Sequence, residues 1–371
     1  MKVALVHDDL IQYGGAERLL LALTEIWPDA PVYTSFYEQN LLETQPAFKK
    51  LRIATSWMQK LPFKTLLRRF YFPLYPLAFE SFNFDEYHIV ISSSTRFAHS
   101  VITKPKTIHI CYLNSVPRYL WDENNYLSEE KIISPFRFLV RIINSYLRVW
   151  DVTAATRVDV FIANSKNVAN KIAKVYRRQA KIIYPFVDFQ KFSEARLTNS
   201  KPGDYFLVVT RLLAWKRVDI AIEAFNQLRL PLKIVGRGPD ISRLRKLAKD
   251  NIEFRGYVED AELIKLYREC KALVVTQDED FGIAICEAQA AGRPVIAYNS
   301  GGAREIVIEG KTGIFFESQT KDSLIEAVRK FEKLKFNPSD CVTNANRFRK
   351  DVFINNLKLV VEDLWRQKMT D

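Results

Sequence analysis

The chain has 371 residues, a formal net charge of +12 and a hydrophobic content of 48%. This length predicts two domains, and the composition is that of an ordinary soluble globular protein. No stretch approaches 18 apolar residues, and the apolar run before Asp8 is too short for a signal peptide, so neither a transmembrane helix nor a leader is expected. Four cysteines without paired spacing argue against a disulfide framework or a zinc site and favour a reducing cytoplasm.

The basic charge suits three kinds of partner, namely nucleic acid, an anionic membrane or a phosphate-bearing substrate. No zinc-finger, basic-zipper or RNA-recognition signature is present in the sequence. The basic residues instead cluster with aromatic residues in two apolar segments. We therefore expect no nucleic-acid partner.

The first half of the chain contains short apolar runs separated by loops, which predict strands. These strands fall at residues 2–7, 31–36, 88–92, 107–112, 159–165 and 181–184. Gly14 and Gly15 lie between the first strand and a helix near Arg18. A glycine pair at such a place lets the backbone approach a diphosphate closely, although by itself it is more often only a tight turn.

Residues 49–79 contain seven basic residues, seven aromatic residues and no acidic residue. Lys60, Lys64 and Arg68 have helical spacing. Pro73 and Pro76 are expected to end any helix there. Basic residues beside aromatic ones suit the surface of an anionic bilayer. The alternative is a helical hairpin whose aromatic residues pack on the core of the domain. Residues 131–150, with four basic and no acidic residues, present the same two alternatives.

The second half of the chain predicts strands at 205–210, 232–235, 252–258, 272–276 and 295–298, and helices at 218–228 and 321–334. A further helix is predicted earlier, at 166–176, and a linker at about 186–204, where Ser, Lys and Pro-Gly cluster. Arg211 and Lys216 lie in a strand-to-helix loop, where two cations would neutralise a diphosphate.

The stretch from Asp278 to Glu305 predicts a strand, a loop, a helix and a second strand. The amides of Phe281 and Gly282 should lie at the helix N-terminus, which suits phosphate or a sugar hydroxyl. Glu279 and Glu287 are eight residues apart, and a carboxylate can accept two hydrogen bonds from a vicinal diol. Considered alone, the two glutamates are equally well explained as solvated charges.

The nine residues from Glu279 to Glu287, EDFGIAICE, resemble the Glu-x7-Glu signature of the family 4 retaining glycosyltransferases. The resemblance continues through Pro294, Val295, Ile296 and Ala297 and through Gly301, Gly302, Ala303, Arg304 and Glu305. It implies an α/β protein with the GT-B fold, in which two Rossmann-like domains face each other across a donor cleft. The expected domains are an N-terminal acceptor domain, a C-terminal nucleotide-sugar domain and a C-terminal helix returning to the first domain, at residues 1–186, 187–350 and 351–371.

The same resemblance implies roles for individual residues. Glu279 would hold sugar hydroxyls and Glu287 the ribose diol of the donor. Arg211 and Lys216, together with Gly15, would stabilise the diphosphate as it leaves. The remaining donor-binding residues implied by the family pattern are Gly14, Phe281, Gly282, Gly236 and Tyr257, with the last two near the nucleotide base.

The segment from Asn114 to Asp122, NSVPRYLWD, is similar to the His-x-Pro-x-Arg-Tyr-x-Trp-Asp segment of bacterial polysaccharide mannosyltransferases. It differs in having asparagine in place of the histidine and a proline shifted by one position. In the family that histidine is thought to touch the sugar or the acceptor. Asparagine can donate and accept hydrogen bonds but cannot carry a proton. Asn114 and Arg118 are therefore expected to position the acceptor or the sugar, without a general base at Asn114.

The resemblance implies retaining transfer of a hexose, with mannose from GDP-mannose favoured by the segment that follows Asn114. The expected acceptor is a glycan or lipid-linked molecule in bacterial cell-surface polysaccharide or glycolipid synthesis. The expected location is the cytoplasm, with peripheral contact at the inner face of the plasma membrane through residues 49–79. The alternatives are a UDP-sugar-dependent enzyme of the same family or, because of Asn114, a non-catalytic sugar-nucleotide-binding protein.

No cofactor and no metal are expected beyond the nucleotide-sugar substrate. Asp278, Glu279 and Asp280 do spell the Asp-x-Asp metal motif of the other large glycosyltransferase fold. Arg211, Lys216 and helix N-termini, however, already supply positive charge for the leaving group.

Overall fold

The computed structural model describes residues 1–68, 70–122, 134–194 and 203–370. The chain forms two compact units, of which the first comprises Met1–Tyr184 with Ile354–Asp371 and the second Pro185–Phe353. Each unit contains a parallel β-sheet with helices, so the predicted α/β class is confirmed. Among the helices of the described residues, none is both long and apolar enough to cross a membrane.

The sheet of the first unit has seven parallel strands in the order β3-β2-β1-β4-β5-β6-β7. Along the chain these are β1 Val3–His7, β2 Val32–Thr34, β3 Ile53–Thr55, β4 Ile89–Ser94, β5 Ile108–Leu113, β6 Val160–Ala163 and β7 Ala180–Ile182. Every residue of β1, β4 and β5 is buried, as expected for central strands covered on both faces. The α-helices of this unit are Gly15–Ile26, Gln39–Thr44, Pro46–Lys49, Tyr75–Glu80, Arg118–Trp121, Ser134–Ala155, Lys166–Tyr176 and most of Lys350–Thr370.

The sheet of the second unit has six parallel strands in the order β10-β9-β8-β11-β12-β13. These are β8 Phe206–Val209, β9 Leu232–Val235, β10 Ile252–Gly256, β11 Leu273–Val275, β12 Val295–Tyr298 and β13 Gly313–Phe316. The α-helices are Phe189–Glu194, Val218–Leu228, Ile241–Leu247, Asp260–Glu269, Ile283–Ala290, Ala303–Ile306, Lys321–Glu332 and Pro338–Ala345. In both sheets the strand order reverses beside the first strand, which is the signature of a doubly wound sheet.

The core of the second unit lies between its sheet and the helices Val218–Leu228 and Lys321–Glu332. Phe206 of β8 is buried against Phe225 and Phe331 of these two helices, with ring centroids 5.0 and 5.8 Å apart in edge-on geometry. Such aromatic pairs stabilise the fold beyond the contribution of the apolar surface that they bury. These two helices thus fix the position of β8, whose carboxyl end carries the loop with Arg211 and Lys216.

The linker predicted at 186–204 is partly wrong, because it contains the helix Phe189–Glu194. Phe192 is buried, and its ring centroid lies 6.1 Å from that of Tyr267. Burial of this aromatic ring offsets the conformational entropy that is lost when the short segment becomes ordered. Residues 195–202 of the predicted linker lie outside the described residues.

The helix suggested by the basic spacing in residues 49–79 is also wrong. The segment forms a 3-10 turn at Trp57–Lys60, further turns, a 3-10 turn at Phe72–Leu74 and then the α-helix Tyr75–Glu80. Pro76 lies in the first turn of that helix and so begins it, although we expected the prolines to end a helix. A first-turn amide has no partner within the helix, so a proline there removes no hydrogen bond. Position 69 of this segment lies outside the described residues.

His109 on β5 should make the first unit sensitive to acid. Its Nε2 lies 2.9 Å from Ser92 Oγ on the neighbouring strand, and complete burial, with His99 nearby, lowers the pKa of the ring to about 3. The unfolded chain takes up a proton at this ring below pH about 6.5, whereas the folded protein does so only near pH 3. The free energy of unfolding therefore falls as the pH is lowered through this window, by about 1.4 kcal/mol per pH unit for one proton.

We accordingly expect His109→Gln to weaken the pH dependence of stability by about this slope between pH 5.5 and 4. Urea unfolding at a series of pH values measures the slope in both proteins, and all other groups contribute equally to each. Identical slopes would mean that the folded protein already carries the proton on His109.

Candidate functional site

The strand order of the second sheet places two loops side by side where it reverses, between β8 and β11. The first loop, which begins at Thr210, follows β8, and the second, which begins at Thr276, follows β11. Ligands of doubly wound sheets bind outside the carboxyl ends of the strands at this reversal. Several of the residues proposed from the sequence lie in these two loops.

Lys216 and Glu279 join the two loops by a direct ion pair. Lys216 Nζ lies 2.6 Å from Glu279 Oε1, and the side chains are 9% and 21% exposed. Gln277 Nε2 donates to the same carboxylate oxygen at 2.6 Å, and Thr276 Oγ1 donates to the Lys216 carbonyl at 2.9 Å. The ammonium group also lies 4.1 Å from the centroid of the Trp215 ring. A cation and a carboxylate are thus held with little solvent at the carboxyl edge of the sheet.

Arg211 is the second residue of the loop after β8, and its side chain is exposed. The neighbouring Leu212 N–H donates to the Arg237 carbonyl at 2.9 Å, which ties this loop to the turn after β9. Lys216 ends the 3-10 turn Ala214–Lys216, just before the helix Val218–Leu228. The predicted strand-to-helix loop is therefore present, with an exposed cation at its start and a buried one at its end.

Phe281 and Gly282 lie where the helix Ile283–Ala290 begins. Gly282 is the N-cap residue with φ of 110°, a left-handed conformation that favours glycine. Since glycine has no side chain, Gly282 makes no side-chain capping hydrogen bond to the first amides of this helix. Phe281 is buried, and its ring centroid lies 5.4 Å from that of Phe348. This contact anchors the loop to the core of the second unit.

The turn containing Gly301 and Gly302, after β12, packs directly on the loop that carries Glu279. The Gly302 N–H donates to the Glu279 carbonyl at 2.8 Å. A Cβ atom on Gly301 would lie 2.1 Å from the Glu279 carbonyl oxygen, and one on Gly302 would lie 2.0 Å from that of Phe281. Only glycine fits at either position without displacing the backbone of the candidate site.

Glu287 lies in the second turn of the helix Ile283–Ala290 and is 8% exposed. Its Oε2 accepts a hydrogen bond of 2.9 Å from the hydroxyl of Tyr267, which is fully buried on the helix Asp260–Glu269. Tyr267 thus fixes the orientation of a carboxylate proposed to bind the donor. The sequence analysis missed Tyr267, because one tyrosine in an amphipathic helix carries no signal of such a contact.

Gly236 lies in the turn after β9, and Tyr257 directly follows β10. Gly236 has φ of 138°, and a Cβ atom there would lie 1.8 Å from the Thr210 carbonyl oxygen at the end of β8. The Tyr257 side chain is 56% exposed, and the Arg237 guanidinium carbon lies 5.5 Å from its ring centroid. The structure thus brings this turn against the loop of Arg211 and leaves an aromatic face open to solvent beside it.

Gly14 and Gly15 lie in the first unit, after β1. Gly14 is the N-cap residue of the helix Gly15–Ile26, and its N–H donates to Glu17 Oε2 at 2.9 Å. Glu17 is buried, with its Oε1 3.9 Å from His7 Nε2. Glu17 thus holds the glycine loop through this hydrogen bond, a role that the sequence analysis did not assign.

Asn114 follows β5, and Arg118 begins the helix Arg118–Trp121. The Asn114 side-chain amide donates to Ser93 Oγ at 3.2 Å, and the Asn114 carbonyl accepts from Asn164 Nδ2 at 2.7 Å. Asn114 is thus oriented by neighbours on β4 and after β6. This arrangement suits hydrogen bonding and supplies no proton-transfer group.

Asp8 and Asp9, directly after β1, were not singled out in the sequence. The Asp8 carboxylate accepts hydrogen bonds from the backbone amides of residues 95–98 and from the Thr95 hydroxyl. Burial alone would raise the pKa of Asp8, but Arg96, His7 and these hydrogen bonds lower it below its usual value. Asp8 is therefore an ionised cap for this loop, which leaves it unsuited to act as a base.

Solved structures with the same architecture define the class of the fold. Anabaena HepE in complex with UDP-glucose superposes with a TM-score of 0.69 at 20% identity, covering 98% of this chain and 100% of that one. WaaG, a glycosyltransferase involved in lipopolysaccharide biosynthesis, gives 0.62 at 17% identity, covering 94% and 95%. The predicted GT-B fold is therefore confirmed.

Sequence comparison then matches part of the chain to a family. Residues 189–348 match the model for glycosyl transferases group 1. An uncharacterised glycosyltransferase of Methanocaldococcus jannaschii is 30% identical over 180 residues, which cover 47% of this chain and 50% of that protein.

Two further relatives are named for mannosyl transfer. The GDP-mannose-dependent alpha-(1-6)-phosphatidylinositol monomannoside mannosyltransferase of Mycobacterium tuberculosis is 36% identical over 138 residues, covering 32% of this chain and 36% of that protein. O-antigen chain mannosyltransferase C of Escherichia coli is 27% identical over 186 residues, covering 46% and 50%. The chain thus spans half or less of the length of these curated relatives.

Proposed function

We propose that the protein is a retaining glycosyltransferase that transfers a hexose, mannose from GDP-mannose, to a glycan or lipid-linked acceptor. The observation that carries the proposal is the contact between Lys216 and Glu279 at the strand-order reversal, beside the helix N-terminus at Gly282. A nucleotide sugar needs a cationic place for its diphosphate and a carboxylate for its hydroxyls. Both lie within one small region of the second unit.

In this proposal the two glutamates bind the two diols of the donor. Glu279 accepts hydrogen bonds from the sugar, and Glu287, oriented by Tyr267, accepts them from the ribose. The diphosphate lies against Arg211, Lys216 and the first amides of the helix Ile283–Ala290. The partial positive charge of the helix N-terminus and the charge of the lysine both attract the diphosphate. The exposed ring of Tyr257 lies on the same edge of the sheet and stacks on the base.

The reaction replaces the bond between the anomeric carbon and the diphosphate oxygen by a bond to the acceptor oxygen on the same face of the sugar. The leaving diphosphate oxygen takes the proton of the acceptor hydroxyl, so no enzymatic base is required. This fits a site in which Asn114 stands where the family has histidine. Positive charge from Arg211 and Lys216 stabilises the diphosphate as it departs, and we propose that neither a metal nor another cofactor takes part.

The choice of GDP-mannose is supported by two mannosyltransferase relatives, of which one is named as GDP-mannose-dependent. The UDP-sugar alternative is supported by HepE, which has been solved with UDP-glucose. The third alternative, a sugar-nucleotide-binding protein without activity, is suggested by Asn114, which replaces the histidine of the family pattern. These alternatives give different results in a binding experiment.

For the acceptor we propose a cell-surface polysaccharide or glycolipid intermediate, reached at the inner face of the plasma membrane. Residues 49–79 support a peripheral contact with anionic lipid. Phe63, Leu66 and Phe70 are 74%, 79% and 78% exposed among basic neighbours, whereas Tyr75 is fully buried. Part of the aromatic content of this segment thus lies in the core, and part faces solvent, where it supports the proposed lipid contact.

Thermal unfolding in the presence of nucleotides tests the donor proposal. A ligand at a hundredfold excess over its Kd adds roughly 2.7 kcal/mol to the free energy of unfolding. We expect GDP and GDP-mannose to raise the Tm, and Glu287→Ala to abolish this increase because the ribose loses its acceptor. Glu326→Ala, which removes an exposed glutamate from the helix Lys321–Glu332, should behave like the unchanged protein.

Each other outcome selects an alternative. An increase with UDP-sugars and none with GDP-mannose overturns the mannose assignment and keeps the enzyme class. Binding of GDP-mannose without turnover on any lipid-linked or glycan acceptor favours the non-catalytic protein. No increase with any nucleotide contradicts the proposed donor site itself.

A further inference from the structure

The helix Ser134–Ala155 carries a row of large apolar side chains that face solvent. Phe138, Ile142, Tyr146 and Val149 are 70%, 51%, 70% and 69% exposed. At about 100° per residue these four positions fall within an arc of roughly 80° on the helix. Single exposed apolar residues are ordinary, but a continuous row of them marks a contact surface. We call these four residues the apolar stripe.

The opposite face of this helix is already occupied. Asn144 Nδ2 donates to the Tyr119 carbonyl at 3.3 Å, and an Arg148 guanidinium N–H donates to the Leu120 carbonyl at 3.0 Å. The Asp151 carboxylate accepts from Trp121 Nε1 at 2.8 Å. The inner face therefore holds the helix Arg118–Trp121, and the apolar stripe cannot turn inward without breaking these bonds.

The exposed charge beside the apolar stripe on the described part of this helix is basic. Asp151 is the sole acidic residue of the helix sequence, and it is fully buried, whereas Arg141 is exposed on the flank of the stripe. The residue 49–79 segment, which has no acidic residue, packs on the same core as the helix through Tyr71, Phe72 and Trp150. An exposed apolar row with a basic border fits the headgroup region of an anionic bilayer.

We infer that the apolar stripe of the helix Ser134–Ala155 inserts into the surface of an anionic bilayer. This inference extends the membrane contact proposed for residues 49–79, and it does not depend on the donor site. A second copy of the chain fits less well, because a twofold contact would place the basic border of one stripe against that of the other. Since the inner face holds the helix Arg118–Trp121, a docked helix would present the proposed acceptor segment close to the lipid surface.

Cosedimentation of the full chain with lipid vesicles tests the inference. The vesicles are phosphatidylcholine alone, or equal parts of phosphatidylcholine and phosphatidylglycerol. We expect binding to the anionic vesicles, and at least tenfold weaker binding for a variant with Phe138→Ser, Ile142→Ser and Tyr146→Ser, since each side chain loses its apolar burial. The matched control, Val352→Ser with Leu359→Ser, removes exposed apolar residues from the helix Lys350–Thr370 and should bind as the unchanged protein does.

Two outcomes overturn the inference. In the first, the triple variant binds anionic vesicles as tightly as the control does. In the second, light scattering shows that the unchanged protein is a dimer and the triple variant a monomer, which would make the stripe an interface between copies. If the triple variant loses cooperative unfolding, Tyr146→Ser alone is judged by the same two criteria. The nucleotide-induced change in Tm is measured on each variant, so that failure of the donor site and failure of the membrane surface are distinguished.

Discussion

Replacing Lys216 by alanine should lower turnover by on the order of 10²-fold, the effect of losing one charge stabiliser in a transition state. The reason lies in its position. The ammonium group is nearly buried, 2.6 Å from Glu279 and at the edge of the sheet where the proposed diphosphate lies. In such a poorly solvated place a positive charge acts strongly on the charge that develops on the leaving group. The measurement is steady-state transfer from GDP-mannose, with kcat and KM determined separately.

The control for this experiment is Lys246→Ala, which removes an exposed lysine from the helix Ile241–Leu247 and should leave kcat unchanged. Because Lys216 also pairs with Glu279, its loss removes one partner of a carboxylate that also accepts a hydrogen bond from Gln277. Thermal unfolding without nucleotide therefore accompanies the kinetics and separates lost stability from lost catalysis. A folded Lys216→Ala protein with an unaltered kcat would remove Lys216 from the proposed mechanism.

The elements of the second unit were largely predictable, because their apolar runs are long and their ends are marked. The helix Val218–Leu228 and the strand Val295–Tyr298 have the predicted bounds. Parallel strands covered on both faces give continuous apolar runs, and glycine or proline often ends them. The segment 49–79 was less predictable, since spacing alone does not distinguish a helix from a series of turns that bury Tyr75 and expose Phe70.

The candidate site was predictable only where a residue belongs to a local motif. Lys216 and Glu279 were each proposed from their own loops, but their direct contact depends on β8 and β11 being neighbours, which no local pattern specifies. Tyr267 and Asp8 were missed for the same reason. Each acts through a partner at least twenty residues away, on another element of the sheet or on a helix. Residue spacing reveals chemistry within a loop, whereas contacts between loops require the topology.

The second large effect is expected for Gly301→Ala, a change outside every residue proposed to touch substrate. Gly301 has φ of 53°, and an added Cβ would lie 2.1 Å from the Glu279 carbonyl oxygen and 2.4 Å from Asp278 Oδ1. An ordinary carbon–oxygen contact needs about 3.3 Å, so the loop carrying Glu279 must move by about 1 Å. A displacement of this size can cost on the order of 10²-fold in rate. We therefore expect a comparable loss of turnover, together with a smaller nucleotide-induced increase in Tm.

Gly310 provides a matched control for this experiment, because it has φ of 75° but an added Cβ would meet no atom within 4 Å. Both alanine variants bear the cost of a left-handed L-residue, about 1–2 kcal/mol, so both should lose a similar amount of stability from backbone strain. Only Gly301→Ala adds the collision with Glu279. If the two variants lost turnover equally, strain would explain the loss, and close packing of the Gly301 turn on Glu279 would have no part in shaping the site. If Gly310→Ala kept its turnover while Gly301→Ala lost it, the position of the Glu279 loop would be what the reaction requires.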